Sequence, residues 1–143
     1  NTAKSSVANG FFRQEQGGFR MIAGQPPETP DTLDFVLQSG PYITVGKRKL
    51  SLLQDGRARR SLLGIDNQNR LFFISVKGKG NNFSGPLLAD IPVIFAREEI
   101  QEILPLTTIL NLDGGGASFF YSRDEEGTFS LSEVSPIGSF LCV

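Results

Sequence analysis

The residues best suited to chemistry lie together in Asn111-Leu112-Asp113-Gly114-Gly115-Gly116-Ala117-Ser118, where one carboxylate runs directly into three glycines. A lone carboxylate can take a proton, stabilise positive charge or ligate a cation. Consecutive glycines lose much entropy on ordering and contribute no packing. Something must therefore require positive φ or close backbone approach, to a neighbouring strand or to a ligand, with N–H groups able to receive an anion. The plainer alternative is a glycine-rich hairpin turn in which Asp113 caps its own loop, since Asp-Gly is a common hairpin signal. Apolar runs on both sides, Thr107-Thr108-Ile109-Leu110 and Phe119-Phe120-Tyr121, read as strand, tight loop, strand.

What else could act is narrowed by what the chain lacks. There is no histidine, which excludes a Ser-His-Asp triad, a Cys-His pair and His-ligated zinc. The single cysteine, Cys142, sits in the apolar run Phe140-Leu141-Cys142-Val143 and reads as a buried, inert thiol. Gly46-Lys47 lacks the first glycine and the following Ser or Thr of a P-loop, and Gly78-Lys79-Gly80 has Phe83 where a dinucleotide fingerprint needs its third glycine. Lys plus Arg (14) nearly balance Asp plus Glu (15), so no overall field attracts nucleic acid or an anionic membrane. No apolar stretch approaches the roughly 20 residues that span a bilayer. The start at Asn1-Thr2, with neither methionine nor signal-peptide pattern, reads as a processed or trimmed product.

The elements that must position such a loop are mostly short strands. A chain of 143 residues with 39% hydrophobic and 20% charged residues fits one globular domain, residues 1–143. Val7 to Phe12 and Phe19 to Ala23 read as strands, and Gly24 to Pro30 as a proline-dense surface connector. Asp31 to Leu37 opens on an N-cap-like Asp but is short for a helix. Pro41–Val45 and Leu50–Leu53 flank a polar tip and suggest one hairpin; Arg60–Ile65 and Arg70–Val76 flank Asp66-Asn67-Gln68-Asn69 and suggest a clearer one. One main helix is expected over residues 91–104, where Ile91, Ile94, Phe95, Ile100, Ile103 and Leu104 recur at helical spacing, with Asp90 as its cap and Pro105 as its end. Asp124-Glu125-Glu126-Gly127 is a turn, followed by strands at Thr128–Ser132 and Ser139–Val143. The expected class is α+β, with a mixed or antiparallel sheet of many short strands and one main helix.

Four segments in order carry a family resemblance: Ala8-Asn9-Gly10-Phe11-Phe12, Gln38-Ser39-Gly40-Pro41, Arg60-Ser61-Leu62-Leu63-Gly64-Ile65 and Asn111 to Ser118. Together they resemble the Asn-Gly-Gly-Phe-Phe, Gly-Pro, Arg-Thr/Ser-x-x-Gly and Leu-Asp-Gly-Gly-Gly-Ser elements of the phosphodiester glycosidase family, which includes the enzyme that uncovers mannose 6-phosphate on lysosomal proteins. The chain departs from that pattern in two places. One small residue is missing between Asn9 and the aromatics, and Lys77 stands where the family often has an acid. The family's earlier strands are missing before Asn1, so the expected domain is one that lacks N-terminal strands.

The resemblance implies hydrolysis of a sugar-1-phosphodiester, such as an N-acetylglucosamine-phosphate-sugar diester or an exopolysaccharide linkage. Phosphate is a good leaving group, so an arginine can replace the protonating carboxylic acid of ordinary glycosidases. On that basis Asp113 and Arg60 are the expected catalytic residues, Arg60 holding the phosphate through bidentate donors. Asp113 would be water activator, oxocarbenium stabiliser or ligand to a divalent ion, three roles the sequence leaves open. Asn9, Gly114, Gly115, Gly116 and Ser118 are the expected substrate-binding residues. The partner is a glycan or sugar phosphate, and the family suggests a secreted, periplasmic or cell-surface setting, with the cytoplasm still open. Two other readings stand beside this one: a carbohydrate- or cell-wall-binding module that keeps the fold without turnover, and a purely structural domain.

Overall fold

Leu62-Leu63-Gly64-Ile65 is an unbroken apolar run, and a strand built from it must be covered on both faces. That is its position in the computed structural model, which describes residues 8–15, 18–24, 33–136 and 141. Among the described residues this run belongs to the fifth of nine strands: β1 Gly10–Glu15, β2 Gly18–Ala23, β3 Leu33–Ser39, β4 Tyr42–Thr44, β5 Arg60–Asp66, β6 Leu71–Val76, β7 Leu106–Gly114, β8 Phe120–Asp124 and β9 Gly127–Leu131. They form a sheet ordered β2-β1-β3, a sheet ordered β4-β7-β5-β6 and the hairpin β8-β9. Every pairing between these strands is antiparallel.

Neighbouring residues of β5 and β7 feed different cores. Leu62 and Ile109 join Ile43, Leu88, Ile91, Phe95 and Leu106 beneath the helical segment. Leu63 and Leu110 join Phe12, with Phe19, Met21, Leu37 and Phe73 packed around them, between the two larger sheets. Leu63, Ile109 and Leu110 are completely buried, as strands covered on both faces require. The sheets cross closely at Gly10, where a Cβ would lie 2.4 Å from Leu110 Cδ1.

The molecule is predominantly β, which corrects the expected α+β class with one main helix. The periodic stretch folds as two short helices, α1 Ile91–Phe95 and α2 Glu98–Gln101, because Arg97 is extended at φ −68°, ψ 141°. Arg97 O then accepts the N–H groups of Ile100 and Gln101, and Gln101 Nε2 donates to Phe95 O (2.7 Å) and Leu106 O (3.0 Å). The break thus satisfies the helix-end groups while Ile91, Phe95 and Ile100 still reach the same core. Asp90 does not cap the helix; its carboxylate instead meets Lys49 Nζ at 2.7 Å.

Two other local expectations change. Pro41–Val45 and Leu50–Leu53 do not form a hairpin: β4 pairs with β7, and Leu50 N donates to Ala89 O. Residues 33–39 are a strand. The β5–β6 hairpin forms as expected; its turn places Asn69 at φ 59°. The expected surface connector, apart from Gly24, and the closing strand with Cys142, apart from Leu141, lie outside the described residues.

Candidate functional site

The segment Asn111 to Ser118 is no hairpin turn. It leaves the four-stranded sheet along β7 and enters β8, whose partner is β9. Near its end β7 bulges: Ser61 faces Asp113 and Leu62 faces Asn111, leaving Leu112 without an opposite residue. Such a bulge re-aims the side chains beside it. It also brings the end of β7 to the mouth of an open cleft of about 520 Å³, lined by Gly40, Asp55, Arg57, Arg60, Asn111 and Asp113 among others. That volume suits a small ligand.

Each glycine answers a different demand. A Cβ on Gly114 would lie 2.7 Å from Arg59 O and 3.3 Å from Arg60 Nη1, so the bare backbone lets β7 close onto β5. Gly115 has φ +65°, the left-handed region, and its N–H donates to Arg59 O at 2.8 Å. Gly116 receives the N–H groups of Val134 and Ser135 on its carbonyl, and a Cβ there would meet Val134 Cγ2 at 2.8 Å. Gly114 and Gly115 line the cleft; Gly116 is not among its lining residues.

The two carboxylates of the cleft differ sharply. Asp113 is exposed; its Oδ1 accepts the Gly114 N–H at 2.6 Å, and Oδ2 has no partner among the described residues. Asp55, not singled out by the sequence, has a side chain only 13% exposed. Its oxygens accept Leu88 N (3.0 Å), Ala89 N (2.8 Å) and Arg60 Nη2 (3.2 Å). Burial alone would raise its pKa, but the Ala89 and Leu88 N–H groups, then the Arg60 charge and the Gly56 N–H, bring it below its ordinary value.

Adjacent arginines at the start of β5 have different environments. The Arg60 side chain, 11% exposed, lines the cleft, with Nε 3.4 Å from Pro86 O and Nη2 shared by Asp55 Oδ1, Gly56 O and Pro86 O. Among the described residues Nη1 has no hydrogen-bond partner; it lies beside Gly114. Arg59 is buried at 1% exposure. Its Nε donates to Ser118 Oγ at 2.7 Å, its Nη2 to Ser118 O and, at 2.9 Å, to Ser132 O, and its guanidinium carbon stands 5.2 Å from the Phe83 ring centroid. Burial lowers its pKa and nearby Glu133 opposes that shift.

The four resembling segments therefore converge. Ser39 Oγ donates to Asn111 O (2.7 Å) and Asn111 Nδ2 to Gly40 O (2.9 Å), so the second segment docks on the fourth; Tyr42 N, just past the second, donates to Asn9 Oδ1 (2.8 Å) of the first; and the third pairs with the fourth along β5 and β7. Asn9 and Ser118 are taken up by these internal contacts and are absent from the cleft lining. The model of the phosphodiester glycosidases matches residues 1–143. The chain belongs to the phosphodiester glycosidase family. No curated protein and no solved structure matches it.

Membership directs attention to Asp113 and Arg60, which share the cleft. Sequence reasoning missed Asp55, Arg57 and the role of Asn111. A faint signal for Asp55 was its place beside Gly56 ahead of the arginine cluster. The family acid replaced by Lys77 is not part of this cleft: Lys77 is exposed and donates to Asn82 Oδ1 at 3.0 Å. Among the described residues no three Asp, Glu or Cys side chains converge where a metal could sit, so the metal-ligand role raised for Asp113 has no companions of that kind. Among them, too, no helix is long and apolar enough to cross a membrane.

Proposed function

We propose that the cleft hydrolyses a glycosyl C1–O–phosphate bond of a sugar-1-phosphodiester, N-acetylglucosamine-1-phosphodiesters and phosphate-linked exopolysaccharides being the candidate substrates. The observation that carries this is the pairing, in one cleft, of a carboxylate with a free oxygen and a guanidinium with one uncommitted donor nitrogen. Asp113 Oδ2 takes a proton from the attacking water as its oxygen bonds to C1. The C1–O bond breaks, and its electron pair leaves on the phosphate oxygen, where the charge is met by Arg60 Nη1. Arg60 acts through that nitrogen rather than as a bidentate fork, since its Nε–Nη2 edge is bound to the chain. A side chain at position 114 would crowd Nη1, since a Cβ there would lie 3.3 Å from it. An extracytoplasmic setting accompanies this reading.

The test is sugar release from a panel of sugar-1-phosphodiesters by the full chain beside Asp113→Asn. Turnover lost in the variant supports the assignment, and turnover retained removes Asp113 from the chemistry. A carbohydrate-binding module without turnover is the second reading, favoured by the absence of another uncommitted carboxylate from the described cleft lining. Glycan or sugar-phosphate binding without hydrolysis across the panel would establish it.

A further inference from the structure

We propose that Arg57 is the principal anion ligand of this cleft, holding the substrate phosphate between its guanidinium and Arg60 Nη1; the proposal rests on the phosphodiester reading of the same site. Arg60 cannot supply a two-pronged grip, because Asp55, Gly56 and Pro86 occupy its Nε–Nη2 edge. Arg59 is buried away from the cleft on Ser118 and Ser132. Arg57 is the other arginine in the lining. It is exposed and makes no hydrogen bond or ion pair with any described residue. Among the described residues nothing occupies its planar fork, which has the bidentate geometry that phosphate favours.

The backbone carrying Arg57 is fixed on both sides. Two residues before it, Asp55 is pinned to the Leu88 and Ala89 N–H groups. Two residues after it, Arg59 N donates to Phe83 O (2.9 Å) and Arg59 O accepts from Gly115. Gly85 also packs so tightly that a Cβ there would lie 2.3 Å from Ala58 O. The backbone beneath Arg57 is thus held at the cleft while its charge is spent on no described part of the fold. Asp55 cancels much of the charge of Arg60, so without Arg57 the site would offer a phosphodiester little net attraction.

The experiment titrates inorganic phosphate against the full chain, Arg57→Gln and Arg57→Lys by calorimetry, with diester kinetics alongside. Arg57→Gln is expected to weaken phosphate about tenfold and raise KM similarly, with kcat within about threefold and the melting temperature unchanged. Arg57→Lys should recover part of the affinity. Wild-type phosphate affinity in Arg57→Gln, or no phosphate binding by the unaltered chain, overturns the proposal. Asp113-dependent hydrolysis with an unchanged KM in Arg57→Gln overturns it while the hydrolase reading stands. Loss of phosphate affinity in Arg57→Gln without hydrolysis of any diester upholds it as that reading falls.

Discussion

Asp66 and Asp113 both lie at strand ends in the same sheet, Asp66 last in β5 and Asp113 next to last in β7, yet they are employed in opposite ways. Asp66 is 3% exposed, and both its oxygens are taken: Oδ1 by Gln68 N (2.9 Å) and Arg70 N (2.8 Å), Oδ2 by Arg70 Nε (2.6 Å). Asp113 is exposed, gives one oxygen to the next N–H and leaves the other without a partner among the described residues. The β5–β6 turn is a closed circuit, whereas the β7 end keeps an acceptor in reserve. A carboxylate becomes a candidate for chemistry through what its neighbours leave undone.

The widest separation should come from exchanging each for Asn. Asp113→Asn should lower diester turnover by about 10²–10⁴-fold with little change in melting temperature. Asp66→Asn should do the reverse, dropping the melting temperature by several degrees while turnover per folded molecule holds. Calorimetry with kinetics on both variants checks this, and equal losses of turnover would dissolve the contrast. The same logic divides the arginines. Arg59→Met strips buried carbonyls of their donors and should cost about 3 kcal/mol in a urea melt. Arg60→Lys should preserve most of that stability and reduce kcat on diesters. The smallest effect concerns acid. Burial would raise the Asp66 pKa, but the Arg70 N–H, the Arg70 side chain, the Gln68 N–H and the Arg70 charge bring it below 3.8, and Asp55 is likewise lowered. Stability linked to these groups is therefore fully present above about pH 3.8 and declines as pH falls through their folded values. Acid titration of the melting temperature should show that decline flattened in Asp66→Asn.

Sequence reading succeeded where one local pattern decided the outcome. The apolar runs on either side of Asp66-Asn67-Gln68-Asn69 gave the β5–β6 hairpin, and the carboxylate-glycine run located the end of β7. It failed where a distant partner decided. Residues 91–104 have helical spacing throughout, but Gln101 binding to Phe95 O and Leu106 O supports a break that periodicity cannot express. Tyr42–Thr44 looked ready to pair locally, yet β7 offered it a buried position beside Ile109. Asp55 was illegible because its meaning lies in the Leu88 and Ala89 N–H groups, 33 and 34 residues away. Arg59 and Arg60 are neighbours of the same type, and only three-dimensional packing tells the buried tether from the cleft side chain.

The tether at Arg59 also bears on how far this chain can be cut down. The cleft lining described here ends at Gly115, so a minimal version stopping after Ser118 would keep that whole inventory. It would also discard Ser132 O, an acceptor for Arg59, together with the Val134 and Ser135 N–H groups that hold Gly116 O. A buried guanidinium would lose part of its solvation by the chain, and the glycine segment would lose its outer anchor. The β8–β9 hairpin, absent from the cleft lining, carries the chain to these anchors and is for that reason not a detachable module.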